Sequence, residues 1–176
     1  IAGKFVWPAA RWKICGSAII FLALFILIVL AGCAINPVTG QQELSLISEN
    51  QEINLGKQAA PIAIQEFNGE FKDTNLQNYV SEIGLKLAQV SHRPLLSYRF
   101  GIVNSSEINA FALPGGPVFI TRGFLVKLQN EAQLAAVLGH EIGHITARHA
   151  IEQLQTNMLF QSILSMAGSM THGTTA

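Results

Sequence analysis

His140-Glu141-Ile142-Gly143-His144 is the stretch on which the reading of this chain turns. It has the form H-E-x-x-H, and its chemistry depends on whether it lies on a helix. The residues before it predict that it does. Asn130 is a good N-cap, and Gln133 stands three places on, where a capping-box partner belongs. Glu131 suits the positive end of a helix dipole. Leu134, Val137, Leu138, Ile142 and Ile145 then recur at helical spacing. On such a helix His140 and His144 stand one turn apart on one face. Two imidazoles so placed can hold one Zn²⁺ at about 2.0–2.1 Å. Glu141 falls beside the metal rather than on it. There its carboxylate can take a proton from water, as the general base of a metallopeptidase does.

Chance is the bland alternative, with a structural or vestigial metal site behind it. From ordinary residue usage the pattern arises on the order of once in tens of thousands of positions. A chain of 176 residues rarely contains it by accident, and its place on a capped helix narrows the odds again.

Three stretches carry a wider resemblance. Asn109-Ala-Phe-Ala-Leu-Pro-Gly-Gly comes first, then Val118-Phe-Ile-Thr-Arg-Gly123. The third is Ala135-Ala-Val-Leu-Gly-His-Glu-Ile-Gly-His-Ile-Thr-Ala-Arg-His149. Together, from about Asn36 to His149, they resemble metallopeptidase family forty-eight, the HtpX-like, BepA-like and LoiP-like zinc endopeptidases of bacterial envelopes. The resemblance implies an α+β, zincin-like (gluzincin) domain, mainly helical with a small sheet. It implies one Zn²⁺ per chain, with His140 and His144 as ligands and Glu141 as the catalytic base. The family's third ligand is a Glu on a later helix, near Ala-Asp. After His149 the only acidic residue is Glu152. It is twelve places beyond His140, or about 18 Å along a continuous helix, too far to close the same sphere. The third ligand is therefore expected beyond Ala176. Since Ile1 rather than Met opens the chain, the expectation is a piece without its start and C-terminal half. Two histidines leave the metal short of three protein ligands, so the piece alone is expected to be poorly active.

Composition sets the outer limits. Lys plus Arg equals Asp plus Glu, 11 of each, which gives no broad electrostatic case for nucleic acid. Cys15 and Cys33 are the only cysteines, so no disulfide framework follows. The chain from Cys33 onward suffices for one ordinary domain.

Lys4, Arg11 and Lys13 precede an apolar run from Ile14 to Leu30, the pattern of a secretory signal or an anchor. Leu30-Ala31-Gly32-Cys33 resembles a lipobox, which implies cleavage before Cys33 and lipidation there. Several acyl chains anchor stably where one does not. An uncleaved span is the alternative, although the run is short for one. In bacterial lipoproteins an Asp after the cysteine signals inner-membrane retention. Here the residue is Ala34, which points to the outer membrane facing the periplasm, with the inner membrane as the alternative. The expected organisation is a signal peptide over 1–32, a lipidated tether over 33–47, and the N-terminal part of the peptidase domain over 48–176.

Within the domain, Ser48 to Gln51 has capping-box form and opens a helix to about Phe67, which Pro61 should kink or end. A second helix is predicted over Thr74–Gln89, with Leu76, Tyr79, Val80, Ile83, Leu87 and Val90 as its buried stripe. No chemistry is read on either helix. His92 reads as a solvated loop residue. Strands are predicted over Tyr98–Val103, Ile108–Leu113 and Val118–Thr121, with Pro114–Pro117 as a turn whose prolines suit a sheet edge. Asn109, Ala110, Phe111, Ala112 and Leu113 are the candidate substrate-binding residues. An edge strand there would take peptide as an added strand, indifferent to side chains. An ordinary buried strand is the competing reading. Arg148, four beyond His144, either pairs with a carboxylate or sits in solvent. His149, off the ligand face, reads as a supporting or packing residue. The apolar positions from Ile151 to Met166 read as core, or as a lid or membrane-facing helix.

These readings converge on a zinc metalloendopeptidase that hydrolyses misfolded or misassembled envelope proteins. Its membrane attachment would be the lipid on Cys33, and outer-membrane assembly machinery is a candidate partner. The alternative is a chaperone-like assembly factor for outer-membrane proteins with little proteolysis.

Overall fold

The structure is a computed structural model, and it describes residues 33–35, 40 and 42–171. The basic start and the apolar run expected as a signal peptide lie outside these residues. Among the described residues no helix is long and apolar enough to cross a membrane.

Two short strands, β1 (Cys33–Ile35) and β2 (Gln42–Leu44), pair antiparallel within the segment expected as a tether. Helix α1 (Glu49–Glu66) follows, opened by the predicted capping box of Ser48 and Gln51. Pro61 lies inside α1 and does not end it. Proline removes one backbone hydrogen bond, and its exposed position leaves water to satisfy the freed carbonyl. Helix α2 (Thr74–Gln89) has the predicted bounds, with the Asp73 side chain accepting from Leu76 N–H. Val80 and Ile83 are buried on its inner face, while Tyr79 and Val90 are exposed, unlike the predicted stripe. Val90 is already the cap residue, past the last helical turn.

The sheet has three strands, β3 (Arg99–Val103), β4 (Ala110–Ala112) and β5 (Pro117–Thr121), in the order β3-β5-β4. β3 runs parallel to β5, and β4 antiparallel to it. Pro117 heads the central strand rather than an edge. A first residue tolerates the missing N–H. A short turn of helix, α3 (Arg122–Leu125), leads to α4 (Glu131–Thr146).

Alternation along β3 and β5 splits the core between two faces. Phe100, Ile102, Val118 and Ile120 meet Val80, Ile83, Leu134, Leu138, Ile142 and Ile145 of α2 and α4. Val103 and Phe119 face the other way, toward Ala60 of α1. The Phe111 ring lies between Phe67 and Phe119, with centroids 4.8 Å and 5.5 Å away. The sheet is thus covered on both faces, and α4 is anchored along its length by four buried aliphatic residues. Gly56 allows α1 to come close. A Cβ there would meet the Pro114 carbonyl oxygen at 1.8 Å.

The two sheet edges differ. On the outer side of β3, Phe71 N–H donates to the Ile102 carbonyl, and Gln77 both accepts from Ile102 N–H and donates to its carbonyl. That edge is closed. On β4, Asn109 and Leu113 bond to β5 through Thr121 N–H and the Pro117 carbonyl. In an antiparallel ladder the bonded residues alternate. The backbone groups of Ala110 and Ala112 therefore point outward, and among the described residues nothing pairs with them.

Candidate metal and peptide site

The Asn130 side chain accepts from Gln133 N–H at 3.0 Å, as predicted for the start of α4. The Gln133 side chain closes the box one residue early, on Gln129 N–H. Leu134, Leu138, Ile142 and Ile145 are buried. That orientation leaves His140, Glu141 and His144 on the side of α4 away from the core.

His140 Nε2 and His144 Nε2 lie 3.1 Å apart. Two nitrogens that each sit about 2.0–2.1 Å from one tetrahedral ion are about 3.3–3.4 Å from each other. The pair therefore fits a single divalent cation. Among the described residues no third His, Cys, Asp or Glu completes a cluster able to hold a metal ion. His149 Nδ1 is 2.7 Å from His144 Nδ1, so it touches the other side of that ring. His144 is thus engaged at both nitrogens.

A cleft of about 260 Å³ runs between α4 and the open edge of the sheet. Ala110 to Pro114 form one wall, and Glu141, His144 and His149 stand on the other. Of the five candidate substrate-binding residues, Ala110 to Leu113 line this cleft. Asn109 does not. It is exposed, just before β4, where Thr121 Oγ1 holds its backbone.

The helix does not continue through Arg148. α4 ends at Thr146, Arg148 takes φ +56°, and α5 (His149–Thr171) starts in a new direction. The 18 Å separation expected of Glu152 assumed an unbroken helix, and no such helix exists. A left-handed non-glycine residue costs about 1–2 kcal/mol, so something must hold it. Arg148 Nε donates to Glu52 Oε2 at 2.9 Å, and its other nitrogens donate to Ser45 Oγ and the Ile47 carbonyl. Glu52 is 1% exposed. It also accepts from both terminal nitrogens of Arg93, at 2.9 and 3.1 Å, and from Gly115 N–H at 3.2 Å. Arg93 Nη1 further donates to the Ile145 carbonyl at the end of α4. Burial opposes the charge on Arg93, but the hydrogen bonds and charges of Glu52 and Glu49 outweigh it and raise its pKa.

Sequence reasoning assigned no role to Glu52 or Arg93. A faint signal existed. Glu52 lies in line with Gly56 and Ala60, four apart on the buried side of α1, and a charge among small residues there calls for a partner. His92, beside Arg93, is exposed as expected. Along α5 Ile151 is buried, whereas Met158, Leu159 and Phe160 are exposed.

The sequence is similar to those of known metallopeptidases. A beta-barrel assembly-enhancing protease of Escherichia coli O157:H7 is 32% identical over 127 residues, covering 69% of this chain and 25% of that protein. A mitochondrial metalloendopeptidase OMA1 of Schizosaccharomyces pombe is 30% identical over 139 residues, 76% of this chain and 40% of that protein. The human mitochondrial metalloendopeptidase OMA1 is 29% identical over 149 residues, 81% and 28%. The chain spans about a quarter of the length of the bacterial relative. The family model for peptidase family M48 matches residues 74–175, which include all of α2, the sheet and the H-E-x-x-H helix; the chain belongs to that family.

Proposed function

We propose that this chain is the metal-binding part of a zinc metalloendopeptidase of the gluzincin type, acting on misfolded or misassembled proteins of a bacterial envelope. The observation that carries the reading is the convergence of His140 Nε2 and His144 Nε2 to 3.1 Å, with Glu141 on the same cleft as the open edge of β4. His140 and His144 would hold Zn²⁺, and a third protein ligand would come from outside the described residues. When bound, the ion would polarise the scissile carbonyl and acidify water. An extended substrate pairs with the outward backbone groups of Ala110 and Ala112, which select for strand geometry and not for side chains. Glu141 takes the proton of the attacking water and returns it to the leaving amine. Glu141→Gln should keep the metal and stop cleavage of an unfolded protein. Cleavage at the wild-type rate would remove Glu141 from this role.

The same open edge supports a second reading, a holding factor for outer-membrane proteins; the name of the bacterial relative, a beta-barrel assembly-enhancing protease, speaks of assembly as well as proteolysis. If Glu141→Gln abolishes proteolysis but leaves assembly of outer-membrane proteins intact, holding is the main activity. The envelope location and the lipid anchor at Cys33 belong to this proposal too. Globomycin should retard maturation of the whole protein, and unchanged mobility would remove the anchor.

A further inference from the structure

The cleft has two walls from distant parts of the chain, and one buried carboxylate touches both. On the first wall, Glu52 Oε1 accepts from Gly115 N–H, at the turn that ends β4. Gly115 has φ +72°, and a Cβ there would meet Ile53 Cα at 2.5 Å, so the turn lies directly on α1 beside Glu52. On the second wall, Glu52 Oε2 accepts from Arg148 Nε at the bend between α4 and α5. Arg93 doubles that tie, since one of its nitrogens serves both Glu52 and the Ile145 carbonyl. Glu52 itself is 1% exposed and lines the floor of the cleft.

We infer that Glu52 is a positioning residue, which sets the distance between the peptide-binding edge and the α4–α5 bend that carries His149. The inference rests on the peptidase reading for its kinetic consequence, but not for its geometry. A buried carboxylate with four donors has little freedom, and charge-assisted bonds are directional. Removing its charge leaves Arg93 with the exposed Glu49 alone and Arg148, among the described residues, with no carboxylate partner. The left-handed Arg148 then loses one of the partners that offset its strain. His140, Glu141 and His144 belong to one helix with its own buried face, so their mutual spacing does not depend on Glu52. What changes is where a bound strand lies relative to Glu141.

The test compares wild type with Glu52→Gln in the whole protein, by hydrogen–deuterium exchange and by kcat and KM on a quenched fluorescent peptide. Exchange should quicken in two separate peptides, 113–118 and 146–152, while 134–145 stays as protected as before. At equal bound zinc, kcat should fall about tenfold to a hundredfold, the scale of a small misplacement of reacting groups. Exchange that quickens uniformly, or at neither wall, overturns the positioning role. So does an unchanged kcat in an enzyme that cleaves. A wild-type protein that binds zinc but cleaves no peptide sinks the peptidase reading instead, and the exchange pattern still decides the role of Glu52. Should Glu52→Gln fail to fold, Arg148→Lys keeps the charge but not the fork. It should loosen 146–152 alone, and loosening of both peptides or of neither overturns the inference.

Discussion

The Nδ1 atoms of His144 and His149 lie 2.7 Å apart across the bend between α4 and α5. Two ring nitrogens at that distance share one proton, so one ring donates and the other accepts. If His144 presents Nε2 to a metal, its Nδ1 carries the proton and His149 is the acceptor. Partners of this kind fix the tautomer and the ring orientation of a ligand. His149→Phe should therefore weaken zinc binding by about 10–100-fold while leaving the fold intact, since His149 is exposed. Competition with a chelator of known affinity measures this. Unchanged affinity would make His149 a packing residue only.

That contact shows where sequence reading stops. The H-E-x-x-H helix was legible because its determinants are local: a cap at Asn130, buried residues at helical spacing, and two histidines four apart. The strands were legible from composition, but their order was not, and Pro117 was assigned to an edge when it heads the central strand. The bend at Arg148 left no mark. Thr146-Ala147-Arg148-His149 contains neither glycine nor proline, and the left-handed turn is held by partners 96 to 103 residues away. A pattern with a window of one helix cannot see such contacts. The same holds for Glu52, whose partner Arg93 is 41 residues off.

The buried face of α4 gives a stability prediction. Leu138 is 0% exposed and sits two residues before His140, among Leu134, Ile142 and the aliphatic side chains of β3 and β5. Leu138→Ala leaves a cavity as well as losing apolar burial, a cost of about 2–5 kcal/mol. Urea unfolding of the metal-free protein should show a lower midpoint at constant slope. A loss under about 1 kcal/mol would mean that the site collapses around the gap.

The chain's two tyrosines should titrate late. Tyr79 is raised chiefly by its hydrogen bond to the Glu131 carboxylate, 2.9 Å away, which holds the phenolic proton. Tyr98 is raised chiefly by burial, which disfavours the phenolate. For Tyr98 the folded value lies above the unfolded one of about 10. Its contribution to stability is therefore complete below that pH and is lost as pH rises through the folded value. Tyrosinate absorbance should appear with a midpoint above about 10 in the native protein, and at the ordinary value in urea. A native midpoint at the ordinary value would remove both causes.

The open edge of β4 makes the sharpest claim about substrate. Leu113 N–H and the Asn109 carbonyl serve β5, so by alternation Ala112 N–H faces away from the sheet. Ala112→Pro removes that outward donor and no bond of the existing ladder, although the ring crowds the residue before it. An added strand would lose one of its few anchoring hydrogen bonds, and the ring would stand in its path. Peptide cleavage should fall by at least about tenfold, equivalent to roughly 1.4 kcal/mol in the transition state, mainly through KM. Zinc content should not change, because His140 and His144 belong to α4. Wild-type cleavage by Ala112→Pro would show that peptide does not pair with this edge, and the substrate would then have to approach His144 from the α5 side.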